Sequence, residues 1–93
     1  MNLRDYSLDV RHARAATLDR LEPLLHELRN VPGLNERTRG VFYRRSKAFL
    51  HFHEDAAGIH ADIRLGDDFE RFRAETDGER GALLDRVIAA LSG

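Results

Sequence analysis

The chain contains no cysteine, no tryptophan and only two prolines among its 93 residues. Without cysteine, it can form no disulfide and has neither a thiolate metal ligand nor a cysteine nucleophile. Small secreted domains usually depend on disulfides, so their absence favours a reducing compartment. No signal-peptide pattern is visible, and no apolar run reaches the roughly 20 residues that a membrane span needs. The sequence therefore predicts a cytoplasmic protein without a membrane partner.

A strong net charge is also lacking, since the formal charge is −1. This value implies no general attraction to nucleic acids or membranes. The charges are nevertheless unevenly distributed: residues 37–53 contain five cations and no acid, and residues 54–79 contain nine acids and three arginines. The length predicts one domain over residues 1–93, with residues 1–9 as a loose lead-in.

A first amphipathic helix is predicted in the N-terminal third of the chain. Leucines from Leu18 to Leu28 recur at spacings of three and four, which places them on one helix face. Proline is tolerated in a first turn but not later, so Pro23 predicts that the helix begins near Thr17 or Asp19. A Val-Pro-Gly stop signal follows Asn30 and predicts the end of the helix there.

A second helix is predicted at the C-terminal end. Thr76 and Glu79 have the spacing of a capping box, in which each side chain bonds the other residue's backbone N–H. The buried stripe is expected to contain Leu84, Val87, Ile88 and Leu91.

The segment between the helices predicts an antiparallel meander. Short apolar runs are separated by turns centred on Arg45-Ser46 and Ala56-Ala57, and tight turns fix the strand register. Phe69–Arg73 is expected to be a short edge strand, and residues 34–40 a polar connector. The predicted fold is α+β, with a meander of three to four strands and both helices on one sheet face. The register pairs Val41 with Leu50, Tyr43 with Ala48, His51 with Asp62, Phe52 with Ala61 and His53 with His60.

This register assigns the side chains to two faces. The predicted core face has aliphatic and aromatic residues, among them Val41, Tyr43, Leu50 and Phe52. A functional site is expected on the opposite face, because that face combines histidines, aromatic rings and an acid. Its predicted members are Phe42, Arg44, Phe49, His51, His53, His60, Asp62 and Arg64.

One family shows the same order of features. A helix is followed by a connector with Pro32, Gly33, Leu34 and Glu36, by a strand at 41–43, and by the Lys-Ala-Phe of residues 47–49. Over residues 18–65 this order resembles the MmcQ/YjbR-like domains, which implies an α+β fold and a DNA-binding role. The chain departs from that pattern in lacking a glycine before Lys47, in its His-rich second strand and in its short C-terminal part. Residues 47–55 are also similar to small actinobacterial proteins.

The first candidate site is a metal site formed by His51, His53, His60 and Asp62. Histidines two apart on a strand point the same way, and cross-strand neighbours lie about 5 Å away. Imidazole and carboxylate are suitable ligands for Zn²⁺ or Ni²⁺. The alternative is an ordinary polar sheet surface, half covered by aromatic rings.

The second candidate is a nucleic-acid site on the first hairpin. Cations at a hairpin tip can contact phosphates, and neighbouring rings can stack on bases. The alternative is a solvated turn, which the near-neutral net charge favours. The predicted binding residues are Arg37, Arg39, Arg44, Arg45, Lys47 and Phe49.

The third candidate is an interface formed by Phe42 and Phe49. An exposed aromatic pair would mark a contact surface and favour a homodimer. The alternative is that residues 10–16 or the lead-in fold over the two rings.

Catalysis is not predicted. His51 with Asp62 could act as an oriented base, but the strands beside them carry no serine or threonine, and there is no Gly-rich phosphate loop. We therefore expect a non-enzymatic binding or interaction domain with its site on the non-core sheet face. Nucleic-acid binding and transition-metal binding are the two alternatives.

Overall fold

The computed structural model describes residues 14–92, so the predicted lead-in over residues 1–9 lies outside the described residues. An N-terminal helix, an antiparallel sheet and a C-terminal helix follow one another, which confirms the predicted α+β fold. The elements are α1 (Ala15–Arg29), β1 (Asn35–Thr38), β2 (Val41–Arg44), β3 (Lys47–Asp55), β4 (Gly58–Arg64), β5 (Phe69–Arg73) and α2 (Asp77–Ser92).

The sheet is a meander of five strands in the order β1-β2-β3-β4-β5, one strand more than the upper expectation. Strand β5 was predicted. Strand β1 was predicted as a polar connector, because Asn-Glu-Arg-Thr contains no apolar residue. Among the strands of residues 14–92 it lies at the edge of the sheet and pairs only with β2, and charged side chains are common on edge strands because they discourage pairing with another chain.

Helix α1 begins earlier than Pro23 predicts. Its first residue is Ala15, and the preceding Arg14 makes no side-chain capping bond. Pro23 lies inside the helix, where the burial of the leucine face offsets the missing backbone bond. Thr17 does not cap the helix, because its hydroxyl donates to the carboxylate of Glu54 on β3. The predicted end near Asn30 is confirmed.

The capping box of α2 is confirmed. The backbone N–H of Thr76 donates to Glu79 Oε1 at 3.0 Å, and the N–H of Glu79 donates to Thr76 Oγ1 at 3.1 Å. The predicted stripe is confirmed in part: Val87 is buried and Leu84 and Leu91 pack against the core, but Ile88 is 43% exposed and the buried Leu83 was not predicted.

The core lies between the two helices and one face of the sheet. Gly40, in the turn between β1 and β2, shows how closely α1 packs on the sheet. Its φ is +81°, and a Cβ there would lie 2.7 Å from Leu18 Cδ2, so glycine alone fits without strain. The largest fully buried side chains are Phe42, Leu21, Leu25, Leu28, Leu50, Ile59, Ile63 and Val87.

A β-bulge changes the register between β2 and β3. Tyr43 pairs with Ala48 as predicted, but Leu50 pairs with Phe42 and not with Val41. Phe49 is the extra residue of the bulge, and two residues of one strand then oppose one of the other. Phe42 therefore lies in the core with 0% exposure, and its predicted place on the opposite face is wrong. Val41, predicted in the core, is only half-buried.

An ion-pair network joins α1 to β1. Arg29 bonds both Glu22 and Glu36, and Arg39 bonds Glu22 and Asp19. The bonds from Arg29 and Arg39 lower the pKa of Glu22 to about 2. Burial raises the pKa of Glu36, but the bonds from Arg29 and the Gly40 N–H outweigh it, and the net shift is downward.

These lowered pKa values predict acid destabilisation. A carboxylate whose pKa is lower in the folded state stabilises the fold above its unfolded pKa, and this contribution disappears as the pH falls towards the folded pKa. For Glu22 the window runs from 4.5 to about 2. We expect the melting temperature to fall across this window in calorimetry. Glu22→Gln should flatten the fall, whereas Glu27→Gln, on the same helix without an ion pair, should not. Equal curves for the wild type and Glu22→Gln would contradict the prediction.

Candidate metal centre

The candidate centre lies on the outer face, by which we mean the sheet face turned away from the two helices. Leu50 and Phe52 of β3 point into the core, so the alternating residues between and after them point outward. The predicted register of β3 and β4 is confirmed. Strand β5 extends it into two cross-strand rows, His51–Asp62–Arg71 and His53–His60–Arg73.

Three of the four predicted ligands come together in this region. One ligand atom each from His51, His53 and Asp62 lies within 4.8 Å of the other two. His53 Nε2 is 3.0 Å from Asp62 Oδ2. The two atoms are nevertheless not aligned for a hydrogen bond, and among the described residues the buried His53 Nε2 has no hydrogen-bond partner. A buried polar atom in this state normally has a partner such as water or an ion.

The spacing is close to that of a bound transition metal. Ligand atoms about 2.0–2.1 Å from a tetrahedral Zn²⁺ are roughly 3.3 Å apart. The observed separations, 3.0 Å for one pair and at most 4.8 Å for the others, differ from this by amounts that small side-chain rotations would remove. Three protein ligands would leave a fourth position for water or another ligand.

Arg71 holds the carboxylate of Asp62 in place. Its Nε donates to Oδ1 at 2.9 Å and its Nη2 to Oδ2 at 3.1 Å. Burial raises the pKa of Asp62, but the Arg71 bonds and the charges of His53, Arg71 and His51 lower it by more. The net shift is downward, so the carboxyl is ionised well below neutral pH. Each carboxylate oxygen accepts more than one bond, so Oδ2 can ligate an ion while Arg71 orients the group.

The ring of His51 is positioned by aromatic neighbours. Its centroid lies 4.7 Å from that of His53 and 4.9 Å from that of Phe69, both in edge-on geometry. Sequence reasoning missed Phe69 and Arg71 as members of the site. The alternation of Phe69, Arg71 and Arg73 along β5 was the available signal, because it places all three on one face.

His60 does not join the other predicted ligands. Although it pairs with His53 across the strands, its Nε2 lies 3.3 Å from Oδ1 of Asp55, the last residue of β3, next to the turn between β3 and β4. Its ring therefore points along the sheet towards that turn. Within the cluster, Asp62 Oδ2 lies 3.0 Å from Nε2 of His53, the neighbour of its cross-strand partner His51.

The predicted nucleic-acid cluster is divided between two places. Arg39 bonds Asp19 and Glu22 on α1, and Arg37 lies 4.1 Å above the Tyr43 ring. Phe49 is only 2% exposed and offers no ring face on which a base could stack. The remaining predicted cations, Arg44, Arg45 and Lys47, lie together at the tip of the β2–β3 hairpin.

The predicted aromatic interface has no exposed rings. Phe42 is 0% and Phe49 2% exposed, so the two do not form the surface patch on which the expected homodimer depended. Self-association therefore remains a prediction without this support.

No family model, characterised protein or solved structure matches the chain. The similarity to MmcQ/YjbR-like domains thus stays an expectation based on the residues that carry it. Within residues 14–92, neither helix has the length and apolar character needed to cross a membrane.

Proposed function

We propose that this chain is a non-enzymatic binding domain whose outer face holds a divalent transition-metal ion. His51, His53 and Asp62 are the ligands, and Arg71 positions Asp62. The observation that carries the proposal is the buried Nε2 of His53, which lies 3.0 Å from a carboxylate oxygen of Asp62 and forms no hydrogen bond within residues 14–92. An ion between these atoms would satisfy the nitrogen and neutralise the carboxylate together.

The donor set selects the class of ion. Two imidazole nitrogens and one carboxylate oxygen suit Zn²⁺, Ni²⁺ and Cu²⁺, whereas Mg²⁺ and Ca²⁺ prefer oxygen ligands alone. Because the chain has no cysteine, it offers no thiolate, the type of ligand that softer ions prefer. Zn²⁺ and Ni²⁺ are therefore the ions to test first.

Burial supports a specific site. The side chains of His53 and Asp62 are 17% and 13% exposed, and an ion held among them would be largely shielded from water. Such shielding strengthens the attraction between an ion and its ligands. The β3 and β4 strands that carry the ligands are paired over six residue pairs, which gives a rigid base for the site.

Metal binding should raise the melting temperature of the metal-free protein. An ion that binds only the folded state at 100 times its Kd adds about 2.7 kcal/mol to the free energy of unfolding. For a domain of this size that corresponds to a rise of roughly 10–20 °C. Calorimetric scans with Zn²⁺, Ni²⁺ or no added metal measure the rise, and native mass spectrometry should show one ion per chain.

Mg²⁺ is the control ion, because it has the same charge as Zn²⁺ and Ni²⁺. It should leave the melting temperature unchanged, because the site offers one carboxylate and two imidazoles. A rise of equal size with Mg²⁺ would indicate screening of acidic side chains and not a site. If none of the transition metals raised the melting temperature, the proposed function would be wrong.

A further inference from the structure

A second site is indicated by a cleft at the tip of the β2–β3 hairpin. The cleft has a volume of about 390 Å³ and lies between the Arg45-Ser46 turn and the residues that end β4. Its walls include the four cations Arg44, Arg45, Lys47 and Arg64, and no acidic side chain. We propose that this cleft binds a phosphate group of a phosphorylated ligand. This inference is independent of the metal centre.

The first argument is the uncompensated charge of the cleft. Half of the arginines in the described part of the chain bond a carboxylate, namely Arg20, Arg29, Arg39, Arg71, Arg73 and Arg80. Over residues 14–92, by contrast, Arg44, Arg45 and Lys47 form no ion pair. Like charges collected without counterions repel one another, and an anion placed among them relieves the repulsion.

The second argument is the fixed position of Arg64. Its Nε donates to the Ala48 carbonyl at 3.0 Å, and its Nη1 donates to the Asp67 carbonyl at 3.1 Å. Its guanidinium carbon lies 4.5 Å from the centroid of the Phe69 ring. All three partners are uncharged, so Arg64 keeps its full positive charge in one orientation. Preorganised arginine is the side chain best suited to bind phosphate oxygens.

The third argument is the strained turn. Arg45 and Ser46 have φ values of +57° and +89°, the type I′ geometry that normally requires asparagine and glycine. Side chains in this region cost free energy, and such strain is characteristic of functional sites. A cation at the first turn position is therefore kept at a cost in stability, which a binding role explains.

The size of the cleft and the burial of Phe49 limit the ligand. A cleft of this volume has room for a small phosphorylated molecule, and Phe49, the one ring in its lining, is too buried to stack on a base. Asp67 and Asp68, exposed in the following loop, oppose a long polyanion that would continue past Gly66. The recognised chemistry is thus a phosphate group, whether from a small phosphorylated molecule or from the end of a nucleic acid.

Titration with inorganic pyrophosphate at about 20 mM salt, where screening is weak, tests the cleft. Isothermal calorimetry on the metal-free protein should show binding to one site. The Arg45→Ala/Lys47→Ala variant should bind roughly ten-fold more weakly or worse, since bonds to charged groups are lost. Both side chains are exposed, so the variant should fold normally. The charge-matched control is Arg20→Ala/Arg86→Ala, whose side chains lie on the helices and which should keep the wild-type affinity.

A turn variant separates binding from folding. Arg45→Asn combined with Ser46→Gly should raise the melting temperature by roughly 5 °C, because both residues suit positive φ, and should still weaken pyrophosphate binding. A fluorescent oligothymidylate gives the second arm. If pyrophosphate displaces the bound oligothymidylate, the phosphate groups that the cleft binds include those of nucleic acid. If only pyrophosphate binds, the ligand is a small phosphorylated molecule. No binding of either probe, or an equal loss in the control variant, would overturn the proposal.

Discussion

Replacement of Phe42 by alanine should lower the free energy of unfolding by about 3–5 kcal/mol, the usual cost of deleting a buried aromatic ring. Phe42 is 0% exposed and is one of the largest fully buried side chains. It occupies the core only because the bulge at Phe49 aligns it with Leu50. Urea unfolding monitored by circular dichroism gives the free energy directly.

The neighbouring Val41→Ala variant is the control for this prediction. Val41 is half-buried, so the change should cost about 1 kcal/mol or less. Without the bulge the two positions would exchange faces, and Val41→Ala would become the costly variant. A larger loss in Val41→Ala than in Phe42→Ala would therefore contradict the register described above.

The bulge also explains which part of the sheet could be predicted. The alternation of β3 and β4 fixed the pairs His51–Asp62, Phe52–Ala61 and His53–His60 in advance, and all three are confirmed. The extra residue at Phe49 has no such pattern, because a bulge places two neighbouring residues against one. The sheet faces of the residues after Leu50 were therefore predicted correctly, whereas those of Val41 and Phe42, on the other side of the bulge, were predicted wrongly.

The helices show the same division between periodic and irregular features. The capping box at Thr76 and the stop after Asn30 depend on local backbone bonds, and both were predictable. The start of α1 at Ala15 was not, because packing of the leucine face against the sheet overrides the local cost of Pro23. In α2, the prediction included Val87 correctly but omitted Leu83 and included the exposed Ile88, since Leu83 and Leu84 are equally apolar and only the docking angle of the helix distinguishes them.

The candidate metal centre was predicted in part. Two histidines two apart on β3 and an acid opposite them were sufficient to bring three ligands together. The sequence could not show that the His60 ring would turn towards Asp55 and not towards the other ligands, because both orientations are compatible with a residue on the outer face. Arg71, the residue that orients Asp62, required the register of β5, which the sequence left open.

The two proposed sites are neighbours on the outer face. Phe69 lies between them, with His51 at 4.9 Å from its ring centroid and the Arg64 guanidinium at 4.5 Å. The Phe69 ring thus contacts one ligand of the proposed metal centre and one cation of the cleft.

The His53→Ala variant should lose nearly all of the stabilisation that Zn²⁺ gives the wild type. Even changes outside the ligand set weaken metal binding by 10–100-fold, so loss of one of three ligands should cost on the order of 100-fold or more. At a Zn²⁺ concentration 100 times the wild-type Kd, the stabilisation then falls from about 2.7 to about 0.4 kcal/mol. The metal-free variant should still fold, because His53 Nε2 makes no hydrogen bond that the change would break.

His60→Ala is the matched control, since it removes a histidine from the adjacent position on the same face. His60 is as buried as the proposed ligands, but its Nε2 is turned to Asp55, so the variant should keep the full rise in melting temperature with Zn²⁺. Calorimetric scans of both variants with and without Zn²⁺ measure the rise in melting temperature of each. If both variants lost the rise, His60 would belong to the ligand set and the three-residue site would be wrong. If His53→Ala kept the rise, the ion would bind without His53 and the proposed three-residue site would be wrong.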